Sequence, residues 1–223
     1  MAKAIIFDID GTLLDSVDLH AQAWQEAFRQ FGHEIPFDRI RSQIGKGGDQ
    51  LLPMFLSEDE LKKRGKEIEE YRGNLFKRKY LGQVKPFPCV RELFLKVKSE
   101  GQQIALASSA KGDELKTFEE IARIEDLVEV ETSSADAKRS KPHPDIFEVA
   151  LERLGDGVTK EGVIVVGDSP HDAEGAKRAG LRTVGVLCGG FPEEDLRKAG
   201  CIAIYEGPEE LLRRYEETPL AAK

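Results

Sequence analysis

Two aspartates one residue apart, Asp8 and Asp10, close the apolar run Ala4-Ile5-Ile6-Phe7, and a Gly11-Thr12 turn follows at once. Adjacent carboxylates at a strand tip repel each other unless a cation or a proton lies between them. Similar endings recur farther along. Ser108 and Ser109 follow Ile104-Ala105-Leu106-Ala107, and Asp168, with Asp172 close behind, follows Val163-Ile164-Val165-Val166. Lys141 lies in a proline-bounded loop just before a helix opened by Pro144. Several carboxylates, a hydroxyl and a lysine suit a hard cation such as Mg²⁺, which keeps positions for phosphate and water. They equally suit a carboxylate nucleophile that becomes an aspartyl-phosphate.

The elements that carry these residues are legible from hydrophobic periodicity. Continuous apolar runs of four residues read as strands buried on both faces of a parallel sheet, and such sheets bind ligands at the carboxyl ends of their strands. From residue 85 onward strands and helices alternate, with strands at 104–107, around 128–130, at 163–166, 183–186 and 202–204. This predicts an α/β fold, a doubly wound, Rossmann-like parallel sheet with right-handed crossovers. Between Leu14 and Val84 no strand is evident. Asp15 and Ser16 are candidate N-caps for a helix whose apolar face carries Val17, Ala21, Trp24, Phe28 and Phe31. Phe37 to Ile44 and Leu51 to Phe55 suggest two short helices, the second bent or started at Pro53. Ser57 and Glu60 have capping-box spacing ahead of a long charged helix that Gly65 and Gly73 weaken. The chain therefore divides into an α/β core, 1–14 and 85–223, and a helical cap, 15–84, with Pro86-Phe87-Pro88 as the return hinge. Thr218 to Lys223 reads as a frayed tail.

Composition narrows the partners. Of 223 residues, 33% are charged, and the formal net charge is −8. That acidity argues against nucleic acid and against an anionic membrane surface. Cys89, Cys188 and Cys201 are scattered without a Cys-x-x-Cys pair, which suggests buried reduced thiols. A strand starts almost at the first residue, no run approaches membrane-spanning length, and a cytoplasmic location is expected. Nothing implies a protein partner.

Asp8-Ile9-Asp10-Gly11-Thr12-Leu13, Ser108, Lys141-Pro142-His143-Pro144-Asp145 and Gly167-Asp168-Ser169-Pro170-His171-Asp172 resemble the four signature motifs of the haloacid dehalogenase-like hydrolases. They stand in the family's order, the helical segment follows the first motif as in members with a helical cap, and the resemblance covers nearly the whole chain. It implies Asp8 as nucleophile on phosphorus and Asp10 as the acid, then base, that serves leaving alcohol and water. It implies Ser108 and Lys141 on the transferring phosphoryl group. Mg²⁺ would be held by Asp8 and Asp168, by the Asp10 main-chain carbonyl, and by Asp172 in support through a water. Gly11, Thr12, His20, Lys46, Gly47 and Ser109 are candidate substrate contacts, Ser109 through its backbone N–H. The expected substrate is a small phosphate monoester of the phosphoglycolate or sugar-phosphate type.

Departures within the motifs separate branches of that family. Dehalogenases lack the second aspartate, so Asp10 argues against them. Phosphonate hydrolysis needs a cap lysine with a lowered pKa, and Gly45-Lys46-Gly47-Gly48 offers no apolar pocket for one. Sugar phosphomutases of the beta-phosphoglucomutase type carry a cap-loop arginine where this chain has Gly48-Asp49, and an acid where it has Gly167. Both favour a phosphatase over a phosphomutase. A non-enzymatic aspartyl-phosphate switch would have neither Asp10 nor the cap. Trp24, Phe28 and Phe31 read as cap core, His33, His143 and His171 as loop residues, and the charged run Glu58 to Lys79 as a solvated helix face.

Overall fold

The computed structural model describes residues 2–155 and 157–221. The chain opens with β1 (Ala4–Phe7), whose residues are all buried, and a short β2 (Leu14–Asp15). Four α-helices follow: α1 (Val17–Gln30), α2 (Phe37–Arg41), α3 (Gly48–Leu51) and α4 (Glu58–Leu75). A 3₁₀ turn at Leu52–Met54 contains Pro53, and a π turn at Phe76–Tyr80 extends α4. β3 (Lys85–Pro86) then returns antiparallel to β2, pairing Leu14 with Pro86 and Asp15 with Lys85, so both ends of the helical segment leave through one two-stranded ribbon.

Beyond the ribbon come α5 (Val90–Ser99), β4 (Gln103–Ala107), α6 (Gly112–Ala122), β5 (Val130–Thr132) and α7 (Asp145–Leu154). β6 (Val163–Gly167), α8 (Pro170–Arg178), β7 (Arg182–Val186), α9 (Glu193–Ala199), β8 (Ala203–Tyr205) and α10 (Pro208–Arg213) complete the order. Six strands form one parallel sheet in the order β5-β4-β1-β6-β7-β8. β1 is central, with Ala4 beside Gln103 on one side and Val163 on the other. Alternate residues of β1 feed different layers, as the two-residue period of a strand requires. Ile5 and Phe7 pack with Phe94, Phe118 and Tyr215, while Ile6 packs with Phe147 and Ala176. A third cluster, containing Trp24, Phe28, Ile40, Leu52 and Ile68, holds α1 to α4 together.

The fold is the expected doubly wound α/β arrangement, with local departures. Ser57 and Glu60 form the capping box, and α4 runs on through Gly65 and Gly73 because Ile68 and Leu75 on the same helix are buried. The strand placed near 128–130 lies at Val130–Thr132. Thr218 to Ala221 are not frayed: Leu220 is fully buried, and its carbonyl accepts from Gln102 Nε2 at 2.7 Å. Ala222 and Lys223, the rest of that tail, lie outside the described residues. The three cysteines are free and only partly buried. Among the described residues no helix is long and apolar enough to cross a membrane.

Candidate active site

The carboxyl ends of β1, β4 and β6 deliver Asp8, Ser108 and Asp168 to one edge of the sheet, and the loop before α7 delivers Lys141. Lys141 is fully buried. Its Nζ donates to Asp8 Oδ1 and to the Ala107 carbonyl (2.7 Å), and lies 2.7 Å from Asp172 Oδ1. The Lys141–Pro142 peptide is cis. Burial alone would pull the lysine pKa down, but the facing carboxylates of Asp172 and Asp8 outweigh it and push it up, so the ammonium stays charged. Thr12, predicted as a substrate contact, is buried, and its hydroxyl lies 3.2 Å from both Asp8 Oδ2 and Asp168 Oδ1.

Asp8, Asp168 and Asp172 each place one carboxylate oxygen within 4.8 Å of the others, all buried. Burial, then the charge of Asp172, pushes Asp8 up to about 7 against the pull of Lys141, and the same causes raise Asp168 well above the carboxylate range. Asp168 Oδ2 is buried without a hydrogen-bond partner. Gly11, with φ +83°, and Gly189 pass so close to the Asp168 carboxylate that a side chain at either would strike it. A cage of hard oxygen donors with surplus negative charge fits a divalent cation such as Mg²⁺. Asp172 also caps α8, accepting from Ser169 N (3.1 Å) and Ser169 Oγ (2.6 Å).

Asp10 opens onto the same cavity as Asp8 but keeps different company. Its Oδ1 accepts from Ser16 Oγ at 2.6 Å and from His20 Nε2 at 2.8 Å. Ser16 stands at the N-cap position of α1 but makes no side-chain cap bond; its hydroxyl is turned to Asp10 and donates to it. Arg72 Nη2 donates to His20 Nδ1, which leaves Nε2 to carry the proton that faces Asp10. The imidazole stacks on Phe76 with ring centroids 4.0 Å apart. Burial would raise the Asp10 pKa, but His20, Ser16 and Arg72 outweigh it and hold the carboxyl below its ordinary range. Asp8 and Asp10 are thus chemically unlike although one residue separates them.

A cavity of about 570 Å³ lies over these groups, between the strand tips and the helical segment. Asp8, Asp10, His20 and Ser109 line it, together with Gly45 to Asp49, and so do Arg72 and Glu114, which sequence reasoning missed. Ser108, Lys141, Asp168 and Asp172 are fully or almost fully buried and do not line it. The Ser108 hydroxyl accepts from Ala110 N at 3.0 Å, while Ser109 Oγ reaches across to the Gly45 carbonyl at 3.2 Å. Lys46 Nζ donates to Gln43 Oε1 at 2.6 Å, and burial lowers its pKa despite the glycines around it. Gly47 is buried, so tight against Ser140 that it has no room for a side chain. His171 lies in the first turn of α8, not in a loop, and its Nε2 donates to the Ser42 carbonyl at 3.2 Å. Arg41 Nη2 and Asp49 make two more bridges, to the Gly189 carbonyl (2.9 Å) and from Ser140 N (3.1 Å).

Comparison with known proteins places this arrangement. Residues 5–186 match the family model described as haloacid dehalogenase-like hydrolase. A phosphorylated carbohydrates phosphatase of Thermotoga maritima is 32% identical over 96% of this chain and 99% of its own. A phosphoglycolate phosphatase of Aquifex aeolicus is 30% identical over 84% of this chain and 85% of its own. The crystal structure of a hydrolase from Pseudomonas syringae superposes with a TM-score of 0.86 and 27% identity, covering 96% of this chain and 98% of that one.

Proposed function

The chain belongs to the haloacid dehalogenase-like hydrolases, and on that premise we propose that it is a Mg²⁺-dependent phosphatase that hydrolyses a small phosphate monoester through an aspartyl-phosphate. The observation that carries this reading is the contrast between Asp8, gripped by Lys141 and Thr12, and Asp10, held by Ser16 and His20. Asp8 attacks phosphorus and the bond to the leaving alcohol breaks. Asp10 gives that alkoxide its proton, then takes one from the water that hydrolyses the acyl phosphate and regenerates Asp8. Asp10 is ionised before substrate arrives; the incoming phosphate dianion raises its proton affinity, so it takes up a proton from solvent on substrate binding and then has one to give as the acid. Lys141 balances the charge of Asp8 and of the transferring group, an electrostatic contribution that dominates phosphoryl transfer. Ser108 supports the phosphoryl oxygens.

Asp8, Asp168 and the Asp10 main-chain carbonyl would hold Mg²⁺, with Asp172, whose oxygens face Lys141 and Ser169, in support through a water; the cation would supply charge neutralisation at the phosphate oxygens. Residues 15–84 serve as a cap over the core of 1–14 and 85–223. The contacts of Ser109, Ser140, His171 and Gly189 with the helical segment support a closed arrangement that shields the acyl phosphate from stray water.

Phosphate release from a panel of esters with Mg²⁺ tests the reading, with Asp8→Asn as the inactive control. Release that stops at one equivalent per protein would mark a phospho-acceptor switch instead. Isomerisation of a hexose 1-phosphate with a catalytic bisphosphate, without free phosphate, would mark a phosphomutase.

A further inference from the structure

Arg72, on α4, and Glu114, on α6, line the cavity from its two sides and are each incompletely satisfied. Glu114 is 7% exposed, and its Oε1 is buried without a hydrogen-bond partner. Arg72 has one donor on His20 and its guanidinium over the Trp24 and Phe76 rings, at 5.1 and 5.4 Å, while its Nε is buried without a partner. A buried donor and a buried acceptor left unpaired cost free energy that a suitable ligand group recovers. A hydroxyl is such a group, because it accepts from Nε–H and donates to a carboxylate at once.

A second anion in the substrate fits the same place badly. Glu114, Asp10 and Glu69 already surround Arg72 with negative charge, Glu114 acting on it most strongly. A carboxylate or second phosphate there would meet Arg72 only by facing the buried Glu114 charge. Of the lysines that line the cavity, Lys77 is paired with Asp113 and Lys46 donates to the neutral Gln43 amide, while Lys111 and Lys138 line it as well.

We infer that Arg72 and Glu114 form a hydroxyl-binding subsite for the alcohol half of the substrate, which makes the preferred substrate the phosphate ester of a neutral polyhydroxy compound, a sugar or polyol. The inference rests on the phosphatase reading and assigns a specificity to it.

Steady-state kinetics of the full chain with Mg²⁺ tests both at separate points. p-Nitrophenyl phosphate probes phosphatase chemistry, and sorbitol 6-phosphate and phosphoglycolate probe the subsite. Wild-type kcat/KM is expected to favour sorbitol 6-phosphate by at least about tenfold, the discrimination of a site built to bind a hydroxyl. Glu114→Gln keeps the shape and removes the charge, so phosphoglycolate turnover should rise while sorbitol 6-phosphate turnover falls. Glu114→Met removes the acceptor and should lower sorbitol 6-phosphate turnover further, by about tenfold or more. Misfolding would depress both substrates together, so the opposite movement of the two in Glu114→Gln is diagnostic. Equal or better wild-type use of phosphoglycolate, or an unchanged ratio in both variants, overturns the inference alone. No turnover of p-nitrophenyl phosphate by the wild type overturns the phosphatase reading and the inference with it.

Discussion

Lys141 on the strand side of the cavity and Arg72 on the helical side are held in opposite ways. Lys141 is fully buried and surrounded by oxygen from Asp8, Asp172 and Ala107. Arg72 is half-buried, leans on two aromatic faces and keeps a donor unpaired. On the proposed reading, the strand side closes around the phosphoryl group common to every phosphate ester. The helical side retains, in Arg72 Nε, an unspent donor that the proposed subsite assigns to the alcohol half of the ester. On that reading the strand tips carry the chemistry, while selectivity is shared between Arg72 of the helical segment and Glu114 of α6.

The largest expected effect falls on the strand side. Asp8→Asn should reduce phosphate release by at least about 10⁴-fold, as loss of a nucleophile does; activity within tenfold of wild type would remove Asp8 from the reaction. Lys141→Met should cost stability as well as rate, because it leaves Asp8 and Asp172 facing each other in a buried site. Breaking such a pair costs about 3–5 kcal/mol, which urea unfolding of the metal-free protein would read. Arg72→Met should lower kcat about 10- to 100-fold through the loosened His20–Asp10 contact, with a smaller stability loss than Lys141→Met. Equal stability losses in the two variants would erase the contrast between the two sides.

The smallest effect lies away from both. Glu119 on α6 is 3% exposed with Oε1 unpartnered, and burial, then Glu131 and Glu125, push it up to about 7 from an ordinary 4.5. The folded chain therefore holds that proton more tightly than the unfolded chain, and stability falls as pH rises from about 4.5 to about 7. Glu119→Gln should match wild type at pH 4 and exceed it at pH 8 by about 1–2 kcal/mol. Thermal unfolding at the two pH values checks this.

The strand side was the legible one. Asp8, Asp10 and Asp168 follow runs such as Ile5-Ile6-Phe7 and Val163 to Val166, whose apolar continuity marks buried strands, and a strand tip has only one place to point its next side chain. The helical side depends on docking. Arg72 sits in the charged run Glu58 to Lys79, which reads as solvated surface until α4 is packed on α1 and the Trp24 and Phe76 rings rise on either side of it. Glu114 lies in the first turn of α6, where an acidic residue is ordinary. Local preference also misdirects at Ser16, a good cap residue whose hydroxyl is taken by Asp10, and at Leu220, whose burial requires Gln102 and Tyr215 to have arrived.

The position of β1 bears on how the protein assembles. Its neighbours in the sheet begin at Gln103 and Val163, so the strand that carries Asp8 can form no ladder until distant parts of the chain return to it. Bringing such segments together costs loop entropy before any contact compensates it, and slows folding. The helices from Val17 to Leu75 share a cluster of their own and need no such wait. On the ribosome, β1 with Asp8 emerges before β4 and β6 and stays an unpaired apolar strand until they are available, a stage at which chaperone binding protects exposed strand edges. The strand that carries Asp8 is made before both of its partners and finds its place only when they arrive.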